Sequence, residues 1–326
     1  MFTPQSLGIA LIMMITSAVC WGSWANAYKG VKNYRFELFY WDYAIGIFVI
    51  SLILGHTLGG GSGPDPSSLA NNIHSTGVSN VVYALVGGAL FNLANLLLVA
   101  AIDMAGLAVA FPVSIGIALV VGVVLSYARQ PKGNALFLAL GVTCALIAVI
   151  LDGKAYGSLA KAGRSVSKKS IITCVVSGIL MGLWAPFMTV AMTHGTPLGP
   201  YSAAIFLTMG ALLSCFIWNV YFMKHPLVGE PVNFSGFFHA PASGHLLGLL
   251  GGFIWGIGTV FNLVAASFTG VAISYAIGQS APMVAALWGV LAWKEFEGSG
   301  VRAKLYLTLM FVFYALAILL VARANG

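Results

Sequence analysis

The chain has 326 residues, of which 60% are hydrophobic and only 7% charged, with a formal net charge of +7. Its mean hydropathy is +0.95. This composition excludes a soluble globular protein and indicates a polytopic helical membrane protein. The apolar runs are about 20 residues long and apolar on every side, which excludes the alternating segments of a transmembrane β-barrel. The basic residues lie in short loops between the runs, so they indicate membrane topology and not a nucleic-acid partner.

Ten apolar runs can each cross a bilayer as a helix, which predicts an all-α fold with ten transmembrane helices. The runs cover residues 7–27, 39–58, 81–103, 107–128, 134–152, 170–193, 201–223, 244–266, 270–293 and 303–322. Most connections between them are short.

Residues 87–127 form a predicted transmembrane hairpin that recurs later in the chain. A shift of 164 positions places Gly87 on Gly251 and Gly106 on Gly270 without a gap. We therefore predict an internal duplication. Because five helices per half is an odd number, the second repeat enters the membrane inverted relative to the first. The predicted parts are a first five-helix repeat at 1–152, a basic linker at 153–169 and a second repeat at 170–326.

The basic residues are distributed unevenly between the two sides of the membrane. Twelve of the 15 Lys and Arg residues lie in the loops after the first, third, fifth, seventh and ninth predicted spans. By the positive-inside rule these loops, including the linker, are cytoplasmic, and both termini lie outside. We expect a multi-pass protein of the cell inner (plasma) membrane. The sequence leaves open whether the protein is a monomer or a homodimer.

Several short motifs resemble the ureide permease family of the drug/metabolite transporter superfamily. They are the CWGSWA segment with Trp21, Gly22, Ser23 and Trp24, the YWDY around Asp42, the GG…LAN of the third span with Asn95, and the Gly-Leu-Ala-Val that opens the fourth span. The aromatic-Gly-Ser of the first span is also similar to the related glucose/ribose uptake porters. The resemblance implies a five-plus-five helix basket that imports small nitrogen-rich compounds such as allantoin, uracil or xanthine, with a proton as the expected coupling ion. The linker lacks the phosphate-loop-like motif of plant relatives, so no nucleotide is expected.

Amides and hydroxyls at mid-depth are the first candidate substrate-binding residues. Carboxamides present the same paired donors and acceptors as the edges of ureides and nucleobases. The alternative for each is a hydrogen bond that joins two membrane helices. Asn92 and Gln279 lie nearest the centres of their spans and are preferred. The candidates are Asn92, Asn95, Thr259, Asn262, Gln279 and Ser280.

Four tryptophans at comparable depth are candidates for the aromatic wall of the same site. Trp21 and Trp24 lie on the first span, Trp184 occupies the equivalent place in the second repeat, and Trp255 lies in mid-span. A flat solute could stack on these rings while each indole N–H finds a polar partner. Ordinary packing is the alternative for any single tryptophan.

Asp42 is the candidate proton-coupling residue. It lies about one turn inside the second predicted span, and a carboxylate inside a membrane marks an ion path or a binding site. The alternative is an interfacial carboxylate paired with Lys29 or Arg35. Asp103 and Asp152 lie at predicted helix ends, where we expect them to be solvated or paired locally, so Asp42 is the one expected buried acid.

These features favour a secondary active transporter that works by alternating access. An intramembrane enzyme would need acidic metal-binding clusters or a catalytic dyad, and the sequence predicts no catalytic residues, metal site or cofactor. A channel would need rings of charge or of carbonyl groups. Within transporters, sugar uptake is the main alternative substrate class, because sugar sites also use Trp and Asn/Gln, and a metabolite or drug exporter is the next. Na⁺ is the alternative coupling ion.

Overall fold

The computed structural model describes residues 1–32, 34–60, 68–159 and 167–325, without the side chains of residues 107 and 108. Within these residues the chain is helical and contains ten helices that are long and apolar enough to cross a membrane. The helices are α1 (Leu7–Ser23), α2 (Ala25–Lys29), α3 (Phe36–Thr57), α4 (Leu69–Ser75), α5 (Val78–Ala105), α6 (Leu107–Arg129), α7 (Ala135–Gly157), α8 (Lys168–Thr193), α9 (Pro200–Cys215), α10 (Trp218–Lys224), α11 (Phe234–Phe238), α12 (Ala242–Thr269), α13 (Val271–Gly278), α14 (Ala281–Leu291) and α15 (Val301–Arg323).

Three membrane spans consist of two helices each. They are α1 with α2, α9 with α10, and α13 with α14. The last pair is interrupted at Gln279 and Ser280, just before Pro282. Proline has no N–H to donate to the carbonyl four residues earlier, so the helical hydrogen-bond ladder is broken at this depth. Pro112 and Pro186, in contrast, lie within continuous helices.

The two predicted hairpins have closely matching structures. Helices α5 and α12 are both 28 residues long, and a shift of 164 maps Val78 on Ala242 and Ala105 on Thr269. Each ends at a glycine with positive φ, 79° at Gly106 and 89° at Gly270, a region that residues with a Cβ rarely adopt. These features are compatible with the predicted inverted repeat.

Helices from the two halves of the chain pack against each other. Helix α5 packs against α8 and α9, whereas α12 packs against α1 and α3. Helices α7 and α15, the last span of each half, pack against each other. Spans from one half thus lie between spans of the other, and the bundle has an interior that both halves line.

We name the two ends of the bundle by the segments that lie there. The termini end carries the start of α1 at Leu7 and the end of α15 at Arg323, and the linker end carries Lys29, the end of α7 and the start of α8. Helix α7 continues to Gly157, so the first residues of the predicted linker are helical. Residues 160–166 of that linker lie outside the described part of the chain.

Candidate functional site

A cavity of about 320 Å³ extends from the middle of the bundle to the linker end. Both halves of the chain contribute to it, the first through α1, α2, α3, α5, α6 and α7 and the second through α8, α12 and α14. The predicted site residues that line it are Trp21, Trp24, Asn95, Trp184, Trp255 and Gln279.

The inner part of the cavity is walled by packed aromatic rings. The Trp21 ring lies edge-on to Trp184 and nearly parallel to Trp255, with both centroid distances at 6.0 Å. Trp255 is also stacked on Phe91 at 4.2 Å. Trp184 and Trp255 are buried, whereas Trp21 and Trp24 are only partly buried. All four rings line the cavity, and Trp21 and Trp24 keep the larger exposed surfaces.

A hydrogen bond between the two halves fixes the orientation of Trp21. Its indole Nε1 donates to Thr259 Oγ1 at 3.1 Å, and Thr259 Oγ1 in turn donates to the Trp255 carbonyl at 3.1 Å. Thr259 itself is fully buried and lies behind the aromatic wall. Thr259 holds the Trp21 ring in the aromatic wall and does not itself line the cavity.

Two of the predicted carboxamides, Asn95 and Gln279, line the cavity. Gln279 lies in the break between α13 and α14, and its side-chain amide makes no hydrogen bond within the described residues. Asn95 makes only a long contact, from Nδ2 to the Tyr40 hydroxyl at 3.4 Å. Both residues thus keep donors and acceptors for a solute.

The other predicted polar residues lie at helix interfaces and outside the cavity. Asn92 Nδ2 donates to the Ala211 carbonyl at 3.1 Å and to Ser214 Oγ at 2.7 Å, which ties α5 to α9. Asn262 donates to the Ser274 carbonyl at 2.9 Å. Ser280 is 1% exposed at the start of α14. The structure thus brings Asn95 and Gln279 together and leaves Asn92, the other preferred residue, with a helix-joining role.

Charged residues surround the mouth of the cavity at the linker end. Lys29 Nζ lies 2.6 Å from Glu295 Oε1, and the Tyr156 hydroxyl donates to Glu295 Oε2 at 3.1 Å. This cluster joins α2, α7 and the segment after α14. Asp103 lines the same part of the wall.

Asp42 lies outside the cavity, and its partners differ from those considered from the sequence. Its Oδ2 accepts a hydrogen bond from the Tyr34 hydroxyl at 2.8 Å and lies 2.9 Å from His245 Nδ1. Lys29 pairs with Glu295 and Arg35 pairs with Glu37, so neither forms an ion pair with Asp42. His245 is a residue that the sequence analysis missed, because it lies 203 positions away.

The expectation that Asp152 is solvated at a helix end was wrong. Helix α7 continues for more than a turn beyond it, and Asp152 is 4% exposed. It lines the cavity, and its Oδ1 atom is buried without a hydrogen-bond partner among the described residues. Asp42 is therefore not the one buried acid of the spans.

Ten spans among the described residues, whose two halves line an aromatic cavity that runs from the middle of the bundle to the linker end, are typical of a multi-pass membrane transporter. The family model described as sugar transport protein matches residues 51–322, and the chain belongs to this family. Among curated relatives, the chain is 24% identical to Ureide permease 1 and 23% identical to Ureide permease 2 of Arabidopsis thaliana. Each alignment covers 100% of this chain and 99% of the relative.

Further matches agree with this assignment. Probable ureide permease A3 of Vigna unguiculata is 23% identical over 80% of this chain and 88% of the relative. A solved crystal structure, titled only as that of a protein, superimposes with a TM-score of 0.63 at 16% identity and covers 98% of this chain and 100% of its own, which shows a shared fold. The resemblance to ureide permeases is confirmed, and the protein is a transporter and not an enzyme.

Proposed function

We propose that the protein is a secondary active transporter that imports a small, polar, nitrogen-rich solute such as allantoin, uracil or xanthine. The observation that carries this proposal is the placement of two carboxamides, Asn95 and Gln279, in a cavity walled by tryptophan rings. Relatives named ureide permeases support the same substrate class.

The cavity offers the two kinds of contact that a flat ureide or nucleobase needs. The exposed parts of Trp21 and Trp24 provide a stacking surface, and the two amides provide N–H donors and C=O acceptors for the edge of the ring. The volume of about 320 Å³ lies at the small end of the range for ligand pockets, roughly 300–1,000 Å³, which suits a single small ring system.

We propose alternating access as the transport mechanism, with the structure in an inward-facing state. The cavity reaches the linker end, which the distribution of Lys and Arg assigns to the cytoplasm. The break at Gln279 supports this mechanism, because discontinuous helices at the midplane are typical of transporters in which one repeat moves against the other.

Asp42 is our proposed proton-coupling residue, now with His245 as its partner. The pair joins α3 to α12, one helix from each half. A proton that neutralises Asp42 would weaken its attraction to His245 and so bias the packing of these two helices. Coupling would then act through helix packing and not through direct contact with the solute.

A sugar is the second candidate solute, because the matching family is described as sugar transport protein. Competition in proteoliposomes separates the two candidates. Uptake of radiolabelled uracil that is inhibited by allantoin and unaffected by glucose is the expected result. Saturable uptake of glucose that uracil and allantoin fail to inhibit would replace the proposed substrate class with a sugar.

A further inference from the structure

We propose that the Asp152 carboxylate is a specificity-determining residue of the cavity, and that it accepts a hydrogen bond from an N–H donor of the solute. The solute class is then a ring or chain with a urea-, amide- or amidine-type edge. This inference rests on the proposed function of the cavity and narrows its substrate class.

The first observation is the unmet hydrogen-bonding capacity of Asp152. The residue is 4% exposed and lies within a membrane-spanning helix, yet its Oδ1 atom has no hydrogen-bond partner in the described part of the protein. A buried acceptor without a donor is costly, so the atom calls for a partner such as an ordered water, an ion or a bound group. Asp152 also lines the cavity, and a rotation of its side chain would bring Oδ1 to a donor carried by a solute.

The neighbouring hydroxyls do not satisfy Asp152. Tyr156, one turn further along α7, donates its hydroxyl to Glu295 at 3.1 Å. The hydroxyl of Tyr314 on the adjacent helix α15 is buried and has no hydrogen-bond partner among the described residues. Each of the two tyrosine hydroxyls is a donor from which Asp152 could accept a hydrogen bond, and neither donates to it among the described residues.

Glu295 and Asp42, unlike Asp152, have partners for their carboxylate groups. Glu295, also in the cavity wall, is paired with Lys29 at 2.6 Å and accepts from Tyr156. Asp42 is held by Tyr34 and His245 and lies outside the cavity. Asp152 is therefore the carboxylate whose position and unmet acceptor both point to a ligand.

A carboxylate oxygen accepts an N–H hydrogen bond, and such a charge-assisted bond is stronger than one between neutral groups. A ring N–H of uracil or an N–H of the ureido chain of allantoin is a donor of this kind, and in uracil N1–H and N3–H diverge on either side of a carbonyl, so that one of them would meet Asp152. With the ring stacked on Trp21 and another edge of the solute at Gln279, the three contacts would fix both the position and the orientation of a flat solute. A solute whose nitrogens carry methyl groups instead of hydrogens would keep the stacking contact and lose the contact with Asp152.

The test is equilibrium binding of radiolabelled uracil and allantoin to the purified full-length protein in nanodiscs. The variants are Asp152→Asn, which replaces one acceptor oxygen by a donor, and Glu297→Gln as a control for the loss of a carboxylate. Glu297 is exposed and does not line the cavity. The second arm measures competition with 1,3-dimethyluracil on the wild-type protein and needs no variant.

We expect Asp152→Asn to weaken binding at least about tenfold, as for the loss of one hydrogen bond to a charged group. Glu297→Gln should leave binding unchanged, and 1,3-dimethyluracil should compete at least about tenfold more weakly than uracil. Equal binding by wild type and Asp152→Asn, or equal competition by the dimethylated ring, would overturn the role of Asp152 and leave the proposed function standing. If the wild type binds neither solute, both are overturned. If Asp152→Asn does not fold, equal competition by 1,3-dimethyluracil still overturns the role of Asp152.

Discussion

Gly88 and Gly252 pack against the backbone carbonyls of Leu207 and Tyr43, and the two contacts are related by the same shift. The glycines are 164 positions apart (252 − 88), and so are the carbonyls (207 − 43). A Cβ at either glycine would overlap the carbonyl oxygen opposite it. One contact joins α5 to α9 and the other joins α12 to α3, so the hairpin of each repeat makes the same close approach to a helix of the other repeat.

We predict that Gly88→Ala and Gly252→Ala destabilise the protein to a similar extent. Added volume in a tight contact costs about 1–3 kcal/mol, and here backbone atoms would have to move apart. The measurement is the midpoint of thermal unfolding in detergent. Gly8→Ala is the control, because a Cβ there meets only Ser6 Oγ at 3.9 Å. Unchanged midpoints for both variants would contradict the close packing.

We predict that Gln279→Ala affects uptake and not stability, and that Asn92→Ala affects stability and not uptake. Gln279 faces the cavity without a hydrogen bond to the protein, so its loss should abolish uptake and leave the unfolding midpoint near that of wild type. Asn92 joins α5 to α9, so its loss should lower the midpoint and leave uptake per folded molecule intact. Uptake and the unfolding midpoint, measured on the same preparation of each variant, test the two predictions. Normal uptake by Gln279→Ala would remove the amide from the proposed site.

We predict that Thr259→Val weakens solute binding although Thr259 lies outside the cavity. The change removes the hydrogen-bond acceptor of the Trp21 indole, which frees the ring to turn. Interhelical hydrogen bonds in membrane proteins contribute about 0.6 kcal/mol on average, which corresponds to about a threefold rise in the dissociation constant. Equilibrium binding of uracil measures the effect. Thr308→Val is the control, since Thr308 is exposed and bonds only within its own helix. An unchanged dissociation constant in Thr259→Val would mean that Trp21 is not held by this bond.

We predict that Asp42→Asn keeps counterflow exchange and loses accumulation driven by a pH gradient. The neutral amide removes the charge that a proton would titrate, while the cavity, which Asp42 does not line, stays intact. Glu37→Gln, which removes a carboxylate from the first turn of the same helix, should retain both activities. If Asp42→Asn still accumulates solute in a pH gradient, then Asp42 is a structural partner of His245 and Tyr34.

The ten spans could be predicted from the sequence because length and hydropathy alone decide which runs cross a bilayer. The end of α7 shows where this reasoning fails. The predicted run stops at the first carboxylate, Asp152, whereas the helix continues to Gly157 and Asp152 is buried in the wall of the cavity. Hydropathy measures the cost of exposing a side chain to lipid and carries no information on burial within protein.

The site could be predicted only in part, because side-chain orientation depends on partners far along the chain. Asn92 and Asn95 lie on the same stripe of α5, but three residues on a helix leave a rotation of about 60° between them. That rotation points Asn92 at α9 and Asn95 at the cavity. The pairing of Asp42 with His245, 203 positions apart, likewise follows from the packing of α3 on α12 and has no local signal.

A nitrogen-rich solute bound in the cavity between Trp21 and Gln279 should protect a single cysteine in the cavity wall from chemical labelling. Ala285 lines the cavity and is small, so Ala285→Cys is placed in a chain whose four native cysteines are replaced by alanine. The rate of labelling by a small thiol reagent is then measured in nanodiscs with each solute. We expect uracil and allantoin to slow the labelling and glucose to leave its rate unchanged. Slowing by glucose, with no effect of uracil or allantoin, would contradict the binding of a nitrogen-rich solute in this cavity.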